Sequence, residues 1–327
     1  MFKMQNRSDK ILKRITILVF IIFLGIGLFI FDDYGVTVDE TFERQSSLVN
    51  LKFFLQELLH KPLPNELLST PDLQNYEDKD YGVILQFPTV LFEYFTNFRY
   101  DISSILKLRH LWTFLNFYIS VIVFNLLLYQ RFRNRLISLI GTLFLIISPR
   151  IFADAFYNIK DLMFFSWFII GLFFLYRYIH HPTKRNCLIL AIVIALASNT
   201  RIIGFILLIA ACIYLVYEFL TKEITKKEFF IRGMIFVGIN ILLFFLFLPA
   251  SWENPIDFFV KTLQHFSKYD YISQELYLGK FVPSLNLPWH YLPVWIFIST
   301  PIFYTILFFV GVFYLIKQFQ IKNSDQI

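Results

Sequence analysis

In this 327-residue chain, few ionisable residues lie close to the long apolar runs, and those few have definite places. Asp39 and Glu40 follow the first apolar run. Arg150, Asp154, Lys160 and Asp161 follow the third. Arg201 interrupts the longest run, and Trp252, Trp289, His290 and Tyr291 flank the last two. Carboxylates, cations and aromatics can divide one kind of chemistry between them. A carboxylate takes a proton from an acceptor hydroxyl. Arg and Lys hold a phosphate and stabilise the charge that develops as it leaves. Trp and Tyr stack on a sugar or sit among headgroups. Ionisable groups near membrane depth are costly unless they face partners or a cavity, which makes these residues candidates for function.

Each candidate also has a structural reading. Asp39-Glu40 could be solvated loop charge. Lys160-Asp161 could be a local ion pair at a helix start, where an acid gains about 0.3–1 kcal/mol from the helix dipole. Arg150 and Arg201 could extend to the interface on their apolar stems. Trp252, Trp289 and Tyr291 fit an aromatic belt, and His290 fits an ordinary interfacial histidine. The histidines show no metal spacing, and neither a Walker motif nor a GxGxxG follows a strand, so no nucleotide donor is expected. A divalent metal is compatible with these residues but not indicated by them, and the cofactor stays open.

The elements that must position these residues follow from composition. Hydrophobic residues make up 57% of the chain, 42 residues are Phe, and charged residues are only 17%. A soluble domain carries about 25% charged residues. This excludes a soluble enzyme, a disordered chain and a disulfide scaffold, and the two cysteines form no CxxC pattern. The apolar residues fall in continuous runs at 15–31, 110–130, 136–149, 162–179, 187–220, 233–250 and 291–316. Alternating segments of about 10 residues would instead indicate an outer-membrane barrel. The expectation is an all-α polytopic membrane protein. As one helix, the run 187–220 would be about 51 Å long, against a hydrocarbon core of about 30 Å. Ser198-Asn199-Thr200-Arg201 breaks it, predicting a hairpin of two short crossings and about eight spans in all.

The basic residues set the orientation. Lys3, Arg7, Lys10, Lys13 and Arg14 precede the first run. Arg131, Arg133 and Arg135 mark a second corner, Lys184 and Arg185 a third, Lys222, Lys226 and Lys227 a fourth, and Lys317 and Lys322 the tail. Both termini are therefore expected in the cytoplasm of a multi-pass protein of the inner (cytoplasmic) membrane. The net charge of +6 is explained by this rule, and no nucleic-acid partner is expected. The chain reads as a single integral membrane domain over 1–327: a first span at 15–31, an extracytoplasmic segment at 32–108, spans two to seven over 110–250, a second outer loop at 251–290 and a last span at 291–316. Phe42, Leu48, Leu51, Phe54, Leu55, Leu58 and Leu59 recur near helical spacing, predicting an amphipathic helix on the membrane surface. Lys61-Pro62-Leu63-Pro64 should end it. A second interfacial helix is expected between Tyr81 and Phe98. This topology puts the candidate residues at one outer face.

At these residues the chain resembles GT-C glycosyltransferases of the family 39 type, which include protein O-mannosyltransferases and lipid A aminoarabinose transferases. Tyr34-Gly35-Val36-Thr37-Val38-Asp39-Glu40 is similar to their acidic motif after the first helix. Ser148 to Ala155, continuing to Lys160-Asp161, is similar to their second outer loop. Asn199-Thr200-Arg201 resembles their basic turn between short helices, and Leu287 to Val294, followed by Thr300-Pro301, their proline-aromatic entry to a later helix. The resemblance runs over about 15–305 and implies a GT-C-like fold with interfacial helices in the first outer loop. It implies inverting transfer from a polyprenyl-phosphate sugar to a lipid, glycan or protein acceptor among membrane lipids. Asp39 would be the base, Arg150, Lys160 and Arg201 would meet the lipid phosphate, and Asp161 would support the site or an ion. A lipid or glycan transporter and a non-catalytic homologue are the alternatives.

Overall fold

The structure, a computed structural model, describes residues 2–267 and 272–324, with side chains over 8–267 and 272–318. Lys3, Arg7 and Lys322 lie outside the described side chains. It contains two compact units, 1–262 and 263–327.

The first unit is helical because its apolar runs are long, and several begin at a residue suited to the start of a helix. The helices α1 (Phe2–Ile30), α2 (Val38–Phe53), α3 (Asn65–Leu68) and α4 (Phe87–Phe95) precede the long α5 (Ile102–Phe132). Asp101 caps α5, accepting from Ser104 N at 3.3 Å, and Arg133 ends it in a left-handed conformation at φ 52°. Asn134 caps α6 (Arg135–Ile146) through Leu136 N at 2.9 Å and Ile137 N at 3.2 Å. Pro149 opens α7 (Pro149–Tyr157), which bends 62° from α6. Then follow α8 (Asp161–His180), α9 (Lys184–Thr200), α10 (Phe205–Leu220), α11 (Lys226–Leu246) and α12 (Pro255–Ser267). Among the described residues, five helices are long and apolar enough to cross a membrane, or seven crossings if each of two bent pairs counts as one.

Small residues let these helices approach closely. Ala191, Ala195 and Ala197 of α9 are fully buried, and α9 packs against α8, α10 and α11 around Tyr178, Leu190 and Phe236. Gly27 of α1 admits the Phe114 ring, and a Cβ there would overlap it. Phe23, Phe114, Phe117 and Phe156 form the second core, in which Phe114 stacks on Phe156 at 5.2 Å between centroids.

The expected amphipathic helix is present, and the structure adds its packing. Helix α2 continues through a single π-helical stretch, Phe54–Leu58, and stops before Lys61-Pro62-Leu63-Pro64, as its prolines predict. It is packed against other elements of the protein. Leu48, Leu51 and Leu55 pack against Leu67 and Val90, while Val49 packs against Phe244 and Leu248. Phe42, Leu58 and Leu59, expected on the same apolar face, are exposed. Glu40, Glu43, Ser46, Ser47, Asn50 and Lys52 are all buried; Ser46, Ser47 and Asn50 bond carbonyls of their own helix, while Glu40, Glu43 and Lys52 find partners on other elements.

The second unit departs from an all-helical chain. Gln274–Tyr277 (β1) pairs antiparallel with Lys280–Pro283 (β2), and Gly279 turns the hairpin at φ 79°. Helices α13 (Tyr291–Ser299) and α14 (Ile302–Ser324) follow, bent by 111° at Thr300-Pro301. Pro301 accounts for the break, since the residue before a proline avoids helical backbone.

Candidate functional site

The site begins at the first turn of α2. Glu40 accepts from Thr37 N at 2.8 Å and from Thr37 Oγ1 at 3.2 Å, closing a capping box. Its second oxygen lies 2.8 Å from His110 Nε2, and both side chains are essentially fully buried. His110 Nδ1 is 3.2 Å from the Phe31 carbonyl. A carbonyl only accepts, so Nδ1 is the donor in that contact. His110 of α5 therefore ties the end of α1 to the start of α2.

One turn later, Glu43 is buried and meets Lys160 Nζ at 2.5 Å. Lys160 also lies 3.6 Å over the Tyr81 ring, a cation–π contact. The segment before α8 is held from two sides. Thr37 Oγ1, which shares its one hydrogen between Glu40 and Tyr157 O, lies 3.4 Å from that carbonyl, and Gln86 Nε2 donates to Ile159 O at 2.6 Å. Asp161 opens α8, and Arg201, at the end of α9, pairs with it. The turn carrying Arg201 is tied back through Asn199 Oδ1, which accepts from Ile84 N at 3.4 Å. Gly82 is required here, since any Cβ would overlap Asn199.

Two further pairs support this face. Arg44 grips Glu93 with Nε at 3.1 and 3.0 Å from the two carboxylate oxygens. Arg109 is fully buried and donates to Thr89 Oγ1 at 2.6 Å, while its Nε and Nη2 have no partner among the described residues. Nearby, Ser46 Oγ and Tyr76 Oη are 3.0 Å apart. Burial, with the charges of Asp78, Glu43 and Glu77, pushes the Tyr76 hydroxyl above its usual value.

These contacts bring the Asp39-Glu40 turn, Lys160, Asp161 and Arg201 into one connected cluster. Asp39 itself is exposed and has no hydrogen-bond or ion-pair partner among the described residues. Glu40 is committed to the cap and to His110, which makes it a support for Asp39 instead of a free carboxylate. Lys160 pairs with Glu43, not with its neighbour Asp161. The cations differ in access: Arg150 is 64% exposed, Arg201 36% and Lys160 only 11%. Arg150 and Asp154 face each other along α7 at 3.9 Å.

The aromatic candidates take other places. Trp252 donates its Nε1 hydrogen to Phe245 O at 2.8 Å and packs edge-on against Phe53 and Phe54. Within the second unit, Tyr277 Oη and His290 Nδ1 are 2.5 Å apart, Tyr291 packs on Tyr277, and Trp289 is 86% exposed. Among the described residues, no group of three His, Cys, Asp or Glu could hold a metal ion.

Sequence reasoning missed Glu43, Glu93, Arg109 and His110. Glu43 carried a usable signal, standing one helical turn after Asp39. Glu93 interrupts an apolar helix, which also marks it, whereas nothing local distinguishes His110. The architecture defines a multi-pass helical membrane protein with a charged cluster built around its second helix. No family model, no curated protein and no solved structure matches this chain.

Proposed function

We propose that the chain is a membrane glycosyltransferase that moves a sugar from a polyprenyl-phosphate donor to a hydroxyl on a lipid, glycan or protein. The observation that carries this reading is Asp39: an exposed carboxylate without a partner among the described residues, in a turn whose Glu40 and Glu43 are buried and paired. Asp39 takes the acceptor hydroxyl proton as that oxygen bonds to the anomeric carbon from the face opposite the phosphate. The bond from the anomeric carbon to the phosphate oxygen breaks, and polyprenyl phosphate leaves with both electrons, so the anomeric centre inverts. Arg201 and Arg150 are the accessible cations for that phosphate. Lys160, buried against Glu43 and Tyr81, holds the second loop in place, and Glu40 with His110 fixes the turn that presents Asp39. Asp154 and Asp161 orient the two arginines. Trp252 braces α2.

The topology belonging to this reading has eight crossings, with α9 and each bent pair counted as one. Both termini lie in the cytoplasm of the inner membrane and the cluster faces outward. A transfer assay with a polyprenyl-phosphate sugar tests the proposal. Asp39→Asn should lower turnover by about 10²–10⁴-fold, the usual contribution of a positioned base. Undiminished turnover removes Asp39 as the base. Flux of a lipid across proteoliposomes that needs no donor cleavage and survives Asp39→Asn would favour transport instead.

A further inference from the structure

A second polar site lies at the opposite, basic ends of the helices, where α1, α5 and α6 meet. A cavity of about 170 Å³ opens there, with Lys13 on α1, Tyr129 on α5 and Arg135 on α6 among its walls. Arg135 is the first residue of α6, and its guanidinium lies 4.5 Å over the Tyr129 ring. Its Nε is buried with no hydrogen-bond partner among the described residues. A buried, unused N–H of a cation is costly, and a bound acceptor removes that cost. No carboxylate lines the cavity.

The lining changes character with depth. From Lys13 to Phe20, α1 rises about 10 Å at 1.5 Å per residue. Over that distance the wall passes from Lys13 to Ile17 and Phe20, with Leu126 of α5 alongside. The hydroxyls of Thr16 and Ser138 are already donated to Leu12 O at 2.9 Å and Asn125 O at 2.7 Å. Besides the Tyr129 hydroxyl, the free donors are therefore the two cations at the mouth; Asn125, whose amide donates to Thr142 Oγ1 at 3.0 Å, is the polar residue beside Leu126 in an otherwise apolar deeper wall.

We propose that this cavity binds the anionic headgroup of a membrane phospholipid, with the phosphate between Lys13 and Arg135 and the start of an acyl chain along Ile17, Phe20 and Leu126. The volume suits a headgroup and not a whole two-chain lipid. The polar mouth accepts any phosphate, and the apolar floor selects the lipid source over free phosphate. Basic pockets between membrane helices recognise such headgroups in this way. The site is separate from the cluster around Asp39 and does not depend on its chemistry.

The test is native mass spectrometry of the full chain extracted from bilayers of mixed phosphatidylglycerol and phosphatidylcholine. One phosphatidylglycerol should remain bound in preference to phosphatidylcholine. Lys13→Gln and Arg135→Gln should each weaken retention about fivefold, the worth of one cation near a headgroup. Arg131→Gln, on the same corner but outside the cavity, should leave retention unchanged. Lys13 is exposed, so its variant reads binding without a folding defect. Equal retention of the two lipids, or equal loss in all three variants, overturns the proposal. So does displacement of the lipid by inorganic phosphate at matching concentration, which would make the cavity a free-phosphate site.

Discussion

His110 shows how one residue can hold two helices. Its ring satisfies the Phe31 carbonyl with one nitrogen and the Glu40 carboxylate with the other. Removing one partner leaves a buried polar group unsatisfied, which costs about 1–3 kcal/mol. His110→Ala should therefore lower the unfolding temperature in detergent and also release the turn that presents Asp39. Under the proposed function, turnover should fall even in the fraction that stays folded, because Asp39 loses its fixed position. A variant with unchanged thermal stability would show that the Glu40 contact is not worth its geometry. Glu43, Glu93 and Lys160 obey the same logic. Each buried acid of the cluster has its own cation or imidazole, and the pairing is between elements far apart in the chain.

At the scale of elements, the connection between α4 and the α9–α10 turn deserves a direct test. Gly82 lies against Asn199 so closely that an added methyl group overlaps both the backbone oxygen and the side chain of Asn199. Backbone cannot step aside as a flexible side chain does. Gly82→Ala should therefore destabilise by about 1–3 kcal/mol, typical of overpacking, and should disturb Arg201 by displacing its turn. Gly25→Ala, where an added methyl meets nothing, is the matched control and should leave stability nearly unchanged. Equal melting of the two variants would show that the 81–86 segment moves freely against the turn. Helix α9 shows a short apolar run used for packing between helices. It has 17 residues, fewer than the roughly 20 a span needs, and its buried alanines belong to packing between helices more than to lipid contact.

At the scale of the whole molecule, the charge pattern makes the orientation testable. Single cysteines placed in a background lacking Cys187 and Cys212 should report the side of each loop. Cysteines at Glu66 and Glu253, both exposed, should react with an impermeant thiol reagent from outside the cell. A cysteine at Lys222, also exposed, should react only after permeabilisation. Labelling of Lys222 from outside would invert the topology and put the Asp39 cluster in the cytoplasm.

The sequence by itself determined that the chain is helical and membrane-bound. Long apolar runs with basic corners have one physical solution in lipid, where every backbone group must be paired within its own helix. It also marked Asp39, Lys160, Asp161 and Arg201, because isolated charges stand out against apolar surroundings. Only the tertiary structure decided which charges meet. Lys160 reaches Glu43 instead of Asp161, Arg201 takes Asp161, and His110 takes Glu40. These are contacts between helices, and local periodicity carries no record of them. The same holds for α2. Its spacing describes an apolar stripe, but not the partners that Glu40, Glu43 and Lys52 find on other elements. Desolvated carboxylates must find partners wherever the fold brings a cation close.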